Sequence, residues 1–260
     1  MARLNKPHTV TFDCWQTLLA EAGPSNGPSV RVRLLSQAAD VDAKAAAAAL
    51  RDAWRTHQLS WHRRTAYTGR DMTLASLAAL GVQLPQTRTE ELVDALESEI
   101  LGHRVVALEG ALATLQGLAR RGVRRALICD TGYTPGRVVR QLLARVGLLE
   151  HLEVTVFSDE VGVPKPHLRM FTTALDGLGV AAPGAVHVGD LRRSDIAGAR
   201  AASMGSIRIT AHNDDTDVEP GPRSPVISCI DAGCTPHCDR PEADAVVATY
   251  GELMATIGYG

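Results

Sequence analysis

The sequence predicts an α/β fold: a Rossmann-like parallel sheet with helices on both faces, plus an inserted all-helical cap domain. Three observations predict it. Short apolar, β-branched runs alternate with helical periodicity through the second half of the chain, the pattern that buries a parallel sheet between layers of helix. The span between the first such run and the rest carries helical signals alone. And the runs that read as buried strands end at acidic residues, the arrangement expected where an open parallel sheet binds a ligand at its carboxyl edge.

The elements follow in order. His8 to Phe12 (HTVTF) is short, β-branched and apolar and reads as a buried strand ending at Asp13. Gly23 to Ser29 (GPSNGPS) is a loop by composition. From Val30 to about Trp61 the chain is rich in Ala and Leu and free of Pro and Gly, which favours helix. Leu74, Leu77 and Leu80 mark a helix stopped by Gly81. Thr87 with Glu90 matches a capping box after Pro85, and Leu92, Leu96 and Ile100 then mark one apolar face. Leu112, Leu115 and Leu118 predict a helix ended by Gly122, and Ala126 to Cys129 a strand. Thr134-Pro135 predicts a helix start, with Thr as N-cap and Pro in the first turn. Val154 to Phe157, Ala185 to Val188, Ser206 to Ile209 and Asp244 to Val247 read as further strands, with helices from Leu168 to Leu178 and from Asp195 to Ala202. Residues 213–241 are rich in Asp, Pro, Gly and Cys and read as a long irregular loop. The expected division is a core of residues 1–22 and 103–260 and a helical cap of residues 23–102.

Composition narrows the function classes. Hydrophobic residues are 45 % of the 260, enough for a sizeable core. A formal net charge of −2 argues against a broad nucleic-acid surface. No apolar run approaches the ~20 residues that span a bilayer, and Met1 to Lys6 lacks the apolar stretch of a signal peptide. A cytoplasmic protein with no membrane or nucleic-acid partner is expected. Five cysteines in such a chain do not suggest a disulfide framework. The lysines are only Lys6, Lys44 and Lys165, so a lysine inside a motif stands out against an arginine-rich background.

The strand ends carry Asp13, then Cys129-Asp130-Thr131, then Gly189-Asp190. Each Asp could simply cap a following helix or turn. Carboxylates delivered to one rim by separate strands also suit a hard cation, and Mg²⁺ prefers oxygen ligands from one or two carboxylates, waters and a substrate phosphate.

Four ordered segments make the chain resemble the haloacid dehalogenase superfamily. Phe12-Asp13-Cys14-Trp15-Gln16-Thr17-Leu18 is similar to its first motif, Asp-x-Asp-x-Thr. Ala126 to Thr131 is similar to the second, a strand ending in Ser or Thr. Gly162-Val163-Pro164-Lys165-Pro166 is similar to the third, which supplies a lysine. Gly189-Asp190-Leu191-Arg192-Arg193-Ser194-Asp195 matches the fourth, Gly-Asp-x-x-x-x-Asp. The resemblance implies that Asp13 is a nucleophile forming an aspartyl-phosphate and that Lys165 neutralises charge on Asp13 and the phosphoryl oxygens. It implies Mg²⁺ bound by Asp13, Asp190 and the Trp15 backbone carbonyl, with Asp195 as ligand or as an orienter of the shell. Thr17, Thr131 and Gly132 would contact the phosphorylated substrate beside Lys165, with backbone N–H groups near the helix after Pro135 holding phosphate oxygens.

Two positions depart from the family pattern. Trp15 replaces the second Asp of the first motif, the residue the family's phosphatases use as general acid and base. Indole cannot transfer a proton in this way, and a positioned acid/base contributes ~10²–10⁴-fold. Cys129 stands where Ser or Thr is expected, and a thiol is a weak donor that Thr131 could replace. Three readings of Trp15 follow: a phosphatase for good leaving groups, a phosphatase with another acid, or a protein that is not a phosphatase. The last admits a dehalogenase-type hydrolase, since the family's dehalogenases carry an aromatic residue there, or a catalytically weak phosphate-binding protein. Gly189-Asp190 favours the metal-dependent phosphatase. Phosphonate cleavage would need a cap lysine, for which only Lys44 is available. In the cap, Trp61 to Tyr67 clusters cationic and aromatic groups, and Arg64 and Tyr67 are the candidate substrate contacts, set against a solvated helix end. Cys229, Cys234, His237 and Cys238 form C-x4-C-x2-H-C, a candidate structural zinc site with unusual spacing, or else a loop with free thiols.

Overall fold

The computed structural model describes residues 6–23, 30–215 and 241–260. The chain forms β1 (Thr9–Phe12) and β2 (Leu19–Glu21), then four helices, α1 (Val30–Ala39), α2 (Ala43–His62), α3 (Gly69–Ala79) and α4 (Gln86–Ser98). It continues through β3 (Val105–Ala107), α5 (Ala111–Arg120), β4 (Arg124–Cys129), α6 (Gly136–Arg145), β5 (Val154–Phe157), the single turn α7 (Ser158–Val161), α8 (Leu168–Leu178) and β6 (Ala185–Gly189). A π-helical turn (Arg192–Ile196) leads into α9 (Ala197–Ala201), followed by β7 (Gly205–Ile209), β8 (Ala245–Val247) and α10 (Tyr250–Thr256).

Six strands pair in the order β5-β4-β1-β6-β7-β8, every pair parallel. From β1 the chain winds outward through β4 and β5, then returns to the other side of β1 and winds outward through β6, β7 and β8. The winding reverses between β1 and β6, so the crevice beyond their carboxyl ends is where a doubly wound sheet takes its ligand. All four residues of β1 are buried, as expected for a central strand covered on both faces.

The period-2 alternation of the strands sorts their side chains into two apolar layers. Val10, Phe12, Leu127 and Cys129 pack with Leu115, Leu118, Val139 and Leu253 on one face. Ala126 and Ile128 pack with Met170, Phe171, Leu175 and Ala199 on the other. The four helices between β2 and β3 bury a third cluster, in which Ala46, Ala49 and Ala53 of α2 meet Leu35, Met72, Leu77 and Leu96, and which Tyr133 joins from beyond β4. No helix among the described residues is long and apolar enough to cross a membrane.

The α/β architecture is the one predicted, and its local departures have identifiable causes. The helix expected from Val30 to Trp61 is two helices. Asp40 turns the chain with a φ of 52°, and Asp42 caps α2 by accepting the Ala45 N–H at 2.8 Å. The capping box expected at Thr87 and Glu90 does not form, because α4 already begins at Gln86 and Thr87 lies inside its first turn. Glu90 instead takes both guanidinium nitrogens of Arg70, at 2.5 and 2.7 Å. The capping box is at Thr68 and Asp71, heading α3. Thr134 does not cap α6, whose N-cap is Pro135; the Gly136 N–H goes to the Asp159 carboxylate at 3.2 Å. A Cβ at Gly136 would fall 2.5 Å from the Phe157 ring, so only glycine allows the helix to start this close to β5. The antiparallel pair β2–β3 and the helix α10 are additions to the sequence reading.

Gly198 and Gly117 test this packing in opposite senses. A Cβ at Gly198 would lie 2.1 Å from a Phe171 ring atom and 3.1 Å from the Pro166 Cα. Gly198→Ala should therefore destabilise the fold by about 1–3 kcal/mol. At Gly117, inside α5, a Cβ would first meet the tips of Met254 and Arg121, at 3.4 and 3.5 Å. Gly117→Ala should be stabilising by about 0.5–1 kcal/mol. Urea unfolding midpoints measure both, and equal shifts of one sign would contradict the packing described.

Candidate active site

Asp13 is the first residue beyond β1, and its N–H donates to the Val188 carbonyl at 2.8 Å, continuing the sheet by one bond. Asp190 follows β6. Between them the backbone of Gly189 leaves room for a returning side chain: a Cβ there would fall 2.3 Å from the Asp195 Cγ. Asp195 comes back from the π-helical turn, a feature that often marks functional sites, and accepts the Leu191 N–H at 3.0 Å. One carboxylate oxygen from each of Asp13, Asp190 and Asp195 lies within 4.8 Å of the others, and all three residues are buried.

Lys165 enters this group from the segment between α7 and α8 and is 2 % exposed. Its ammonium donates to Asp13 Oδ1 at 2.5 Å, to Asp195 Oδ1 at 2.7 Å and to the Ile128 carbonyl at 3.0 Å. All three N–H bonds are thereby used, which is what a buried ammonium requires. Beneath it, His187 of β6 lies between Thr11 Oγ1, at 2.8 Å from Nδ1, and Asp195 Oδ1, at 3.2 Å from Nε2.

The charges do not balance. Burial pushes the Lys165 ammonium down, but Asp13, Asp195 and Asp130 outweigh it and hold it well above the usual lysine range. Asp195 ends below the usual carboxylate range: burial opposes this, and Lys165 and His187 overcome it. Burial raises Asp13 to about 7 despite Lys165, and burial with repulsion from Asp13 and Asp195 raises Asp190 to about 8. Three buried carboxylates thus share one ammonium. The oxygen donor set and the uncompensated negative charge fit a hard divalent cation. Asp13 and Asp190 carry the charge that such an ion would offset. Asp195, with both oxygens engaged by protein donors, orients the group.

The other predicted positions distribute around this centre. Cys129 ends β4 fully buried, and hydrogen bonding with Cys14 followed by burial holds its thiol well above the usual range. Thr131 lies above it, with its N–H donated to Ser158 Oγ at 2.9 Å and its hydroxyl 3.0 Å from the same atom. Trp15 is half-buried and packs against the apolar layer under α5 and α10. The loop turns at Gln16 with a φ of 61°. Thr17 is fully buried: its carbonyl accepts the Tyr250 hydroxyl, and its own hydroxyl has no hydrogen-bond partner among the described residues. Gly132 lies against α2, where a Cβ would meet Trp54 at 3.0 Å and His57 at 3.5 Å. Tyr67 joins His57, Trp61, Thr131, Ser158 and Asp159 around a small cleft. Arg64 is exposed and is not part of that wall. The cleft lies beside the three carboxylates, which do not line it. Cys229, Cys234, His237 and Cys238, the candidate zinc ligands, lie outside the described residues.

Four residues join the site without having been singled out for a role in it. His187 supports Asp195, Ser158 holds Thr131, Asp130 holds the Lys165 backbone, and Asn213 donates to Asp190 Oδ2 at 2.6 Å. Two of them had a signal: Asp130 stands at a predicted strand end, and a histidine inside a buried apolar strand needs polar partners. Nothing in the local pattern marks Ser158 or Asn213.

The family model for haloacid dehalogenase-like hydrolases matches residues 7–203. Haloacid dehalogenase-like hydrolase domain-containing protein 3 of Bos taurus is 37 % identical over 102 residues, and the match covers 39 % of each chain. A phosphoserine phosphatase of Thermus thermophilus is 34 % identical over 135 residues, 52 % of each chain. The chain thus covers less than two-thirds of these curated relatives. Among solved structures, a HAD phosphatase from Thermococcus onnurineus superimposes with a TM-score of 0.61 at 20 % identity, over 96 % of this chain and 97 % of the other. An L-2-haloacid dehalogenase from Xanthobacter autotrophicus does so with a TM-score of 0.57 at 18 % identity, over 96 % and 98 %. At such identities the likeness is one of fold.

The unbalanced charge predicts a pH-dependent stability. Asp13 and Asp190 are raised from 3.8 to about 7 and about 8, so between these limits the folded chain binds more protons than the unfolded one. Stability is then greatest near the lower limit and is lost as pH rises through about 7 and 8. Asp195, shifted the opposite way, loses its contribution only in acid. Metal-free protein should melt at a lower temperature at pH 8 than at pH 5, and added Mg²⁺ should raise the midpoint more at pH 8. Melting curves at the two pH values, with Mg²⁺ and with EDTA, measure this; a cation effect independent of pH would remove the carboxylates from the binding site.

Proposed function

The chain belongs to the haloacid dehalogenase-like hydrolases, and on that premise we propose that it is a Mg²⁺-dependent phosphatase of a small phosphorylated metabolite, acting through an aspartyl-phosphate on Asp13. The observation that carries this reading is the buried contact of Asp13 with Lys165 at 2.5 Å, with Asp190 and Asp195 in the same cluster. A carboxylate held at a sheet's carboxyl edge against a fully bonded ammonium is an oriented nucleophile.

Asp13 attacks the phosphorus and the phosphorus–oxygen bond of the ester breaks, so that the leaving group departs as its oxyanion and the phosphoryl group stays on the Asp13 carboxylate. Lys165 offsets the negative charge gathered on the reacting oxygens. Water then attacks the same phosphorus, releasing inorganic phosphate and restoring Asp13. Asp13, Asp190 and the Trp15 carbonyl are the ligands we assign to Mg²⁺, with Asp195 holding Lys165 and the loop after β6. When bound, the ion would offset the carboxylate charge and polarise the phosphoryl oxygens.

Trp15 shapes the substrate range. It supplies no proton to a departing alkoxide, so the reading favours substrates whose leaving groups depart as stable anions, such as acyl and aryl phosphates. We assign residues 23–102 as the cap and residues 1–22 and 103–260 as the catalytic core. Support comes from the apolar cluster of α1 to α4, distinct from the two layers on the sheet although Tyr133 joins it, and from the cleft that Tyr67 and Trp61 share with Thr131. The cleft between the two is where we place the leaving group. Two buried free cysteines, Cys14 and Cys129, accord with a reducing, cytoplasmic setting.

Mg²⁺-loaded protein should release phosphate from an aryl phosphate, and Asp13→Asn should reduce the rate to background. Trp15→Asp should raise turnover of an alkyl phosphate by about 10²–10⁴-fold, provided the rest of the machinery is sound. Phosphate assays with both substrate types measure these outcomes. Absence of turnover with every ester and acyl phosphate would sink the proposal, and halide release from a short haloacid in EDTA would point to dehalogenation instead.

A further inference from the structure

A single residue of α2 touches two of the loops that carry the chemistry. Trp61, near the end of α2, donates its indole Nε1–H to Asp130 Oδ2 at 2.7 Å. The other carboxylate oxygen of Asp130 accepts the backbone N–H of Lys165 at 2.8 Å. From there the Lys165 side chain reaches Asp13 and Asp195. Over the Trp61 ring, 3.5 Å from its centroid, lies the guanidinium of Arg193, which stands between Asp190 and Asp195 in the chain.

The backbone hold on Lys165 is narrow. In Pro164-Lys165-Pro166 neither neighbour has an N–H. The Lys165 amide is therefore the only backbone donor in that tripeptide, and Asp130 takes it. Asp130 has no competing role as a cap, because α6 begins at Gly136 and the Gly136 N–H goes to Asp159. Indole is a donor only, so the polarity of the Trp61 bond is unambiguous. Asp130 is half-buried, where a directed hydrogen bond fixes a carboxylate rotamer that water would otherwise let turn.

We propose that Trp61 is a positioning residue that acts through Asp130: with the helical segment seated, its indole fixes the Asp130 carboxylate, and Asp130 fixes the backbone from which Lys165 reaches Asp13. Seating of the cap and alignment of the catalytic ammonium are then one event. The kinetic consequence rests on the phosphatase reading; the structural one does not.

Two variants break the same bond from opposite sides. Trp61→Phe removes the N–H and keeps a ring for Arg193. Asp130→Asn keeps an oxygen for the Lys165 amide and turns a donor toward the indole. In Mg²⁺-dependent turnover of an aryl phosphate, each should lower kcat by roughly 10- to 100-fold with KM far less affected. The double variant should be no worse than either single one, because both interrupt one path. Amide hydrogen exchange, which needs no activity, should show the Lys165 N–H exchanging faster in Trp61→Phe while β4 and α8 keep their protection. Additive losses, an effect on KM alone, or unchanged exchange at Lys165 would overturn the proposal. Should the wild type release no phosphate, the phosphatase reading falls and the exchange comparison alone decides this one. Should Trp61→Phe fail to fold, Asp130→Asn supplies the same exchange and kcat readouts.

Discussion

The buried ammonium of Lys165 is the interaction on which the rest of the site depends. A lysine charge removed from water is tolerable only when every N–H is bonded and opposite charge is close. Asp13, Asp195 and the Ile128 carbonyl meet that need, and they come from the end of β1, the turn after β6 and the end of β4. One cation therefore ties together the ends of three neighbouring strands at the carboxyl edge of the sheet. Removing it would leave Asp13 and Asp195 facing each other in a buried site, with Asp190 close by.

The sheet order makes this meeting possible. Because the winding reverses between β1 and β6, the loops after these strands diverge and leave a crevice at their ends. Asp13 and Asp190 occupy its two lips. The Gly189 backbone lets Asp195 fold back across the crevice, and His187 supports it from within β6. The helical segment covers the neighbouring rim, so Thr131, Gly132 and Ser158 face Trp54, His57, Trp61 and Tyr67 rather than solvent. Fold and chemistry are joined here by burial: the enclosure that raises the cost of each charge also strengthens each bond between them.

Trp15 and Cys129 show how a shared framework can accept apolar packing at positions that its family pattern gives to polar groups. The Trp15 side chain packs against the apolar layer, and Cys129 and Cys14 both lie within it. Both residues contribute to packing at positions that resemble sites for polar groups. The carboxylate cluster and its lysine do not depend on either side chain. The packing of Trp15 and Cys129 and the charge cluster around Lys165 are thus separable features of this fold.

Much of the core was legible in the chain itself. Buried parallel strands announce themselves as continuous apolar, β-branched runs, so β1, β4, β5, β6 and β7 could be read within a residue or two of their ends. The acidic residues that terminate β1 and β6 followed from the same reading, and Lys165 stood out because lysine is so scarce. Caps were less legible. Thr87 and Thr134 have the right chemistry, but a cap depends on where the first helical turn closes, and that was decided by Pro85, Arg70, Phe157 and Asp159. What the sequence by itself determined is therefore the sheet, its buried centre and the acidic residues at its carboxyl edge, because strand periodicity and chain ends are local properties. What only the tertiary structure decided is which of those groups touch: Lys165 on Asp13 across 152 residues, His187 under Asp195, Trp61 on Asp130. Those contacts depend on strand order and on the approach of helix to rim, and no local pattern records how distant segments are brought together.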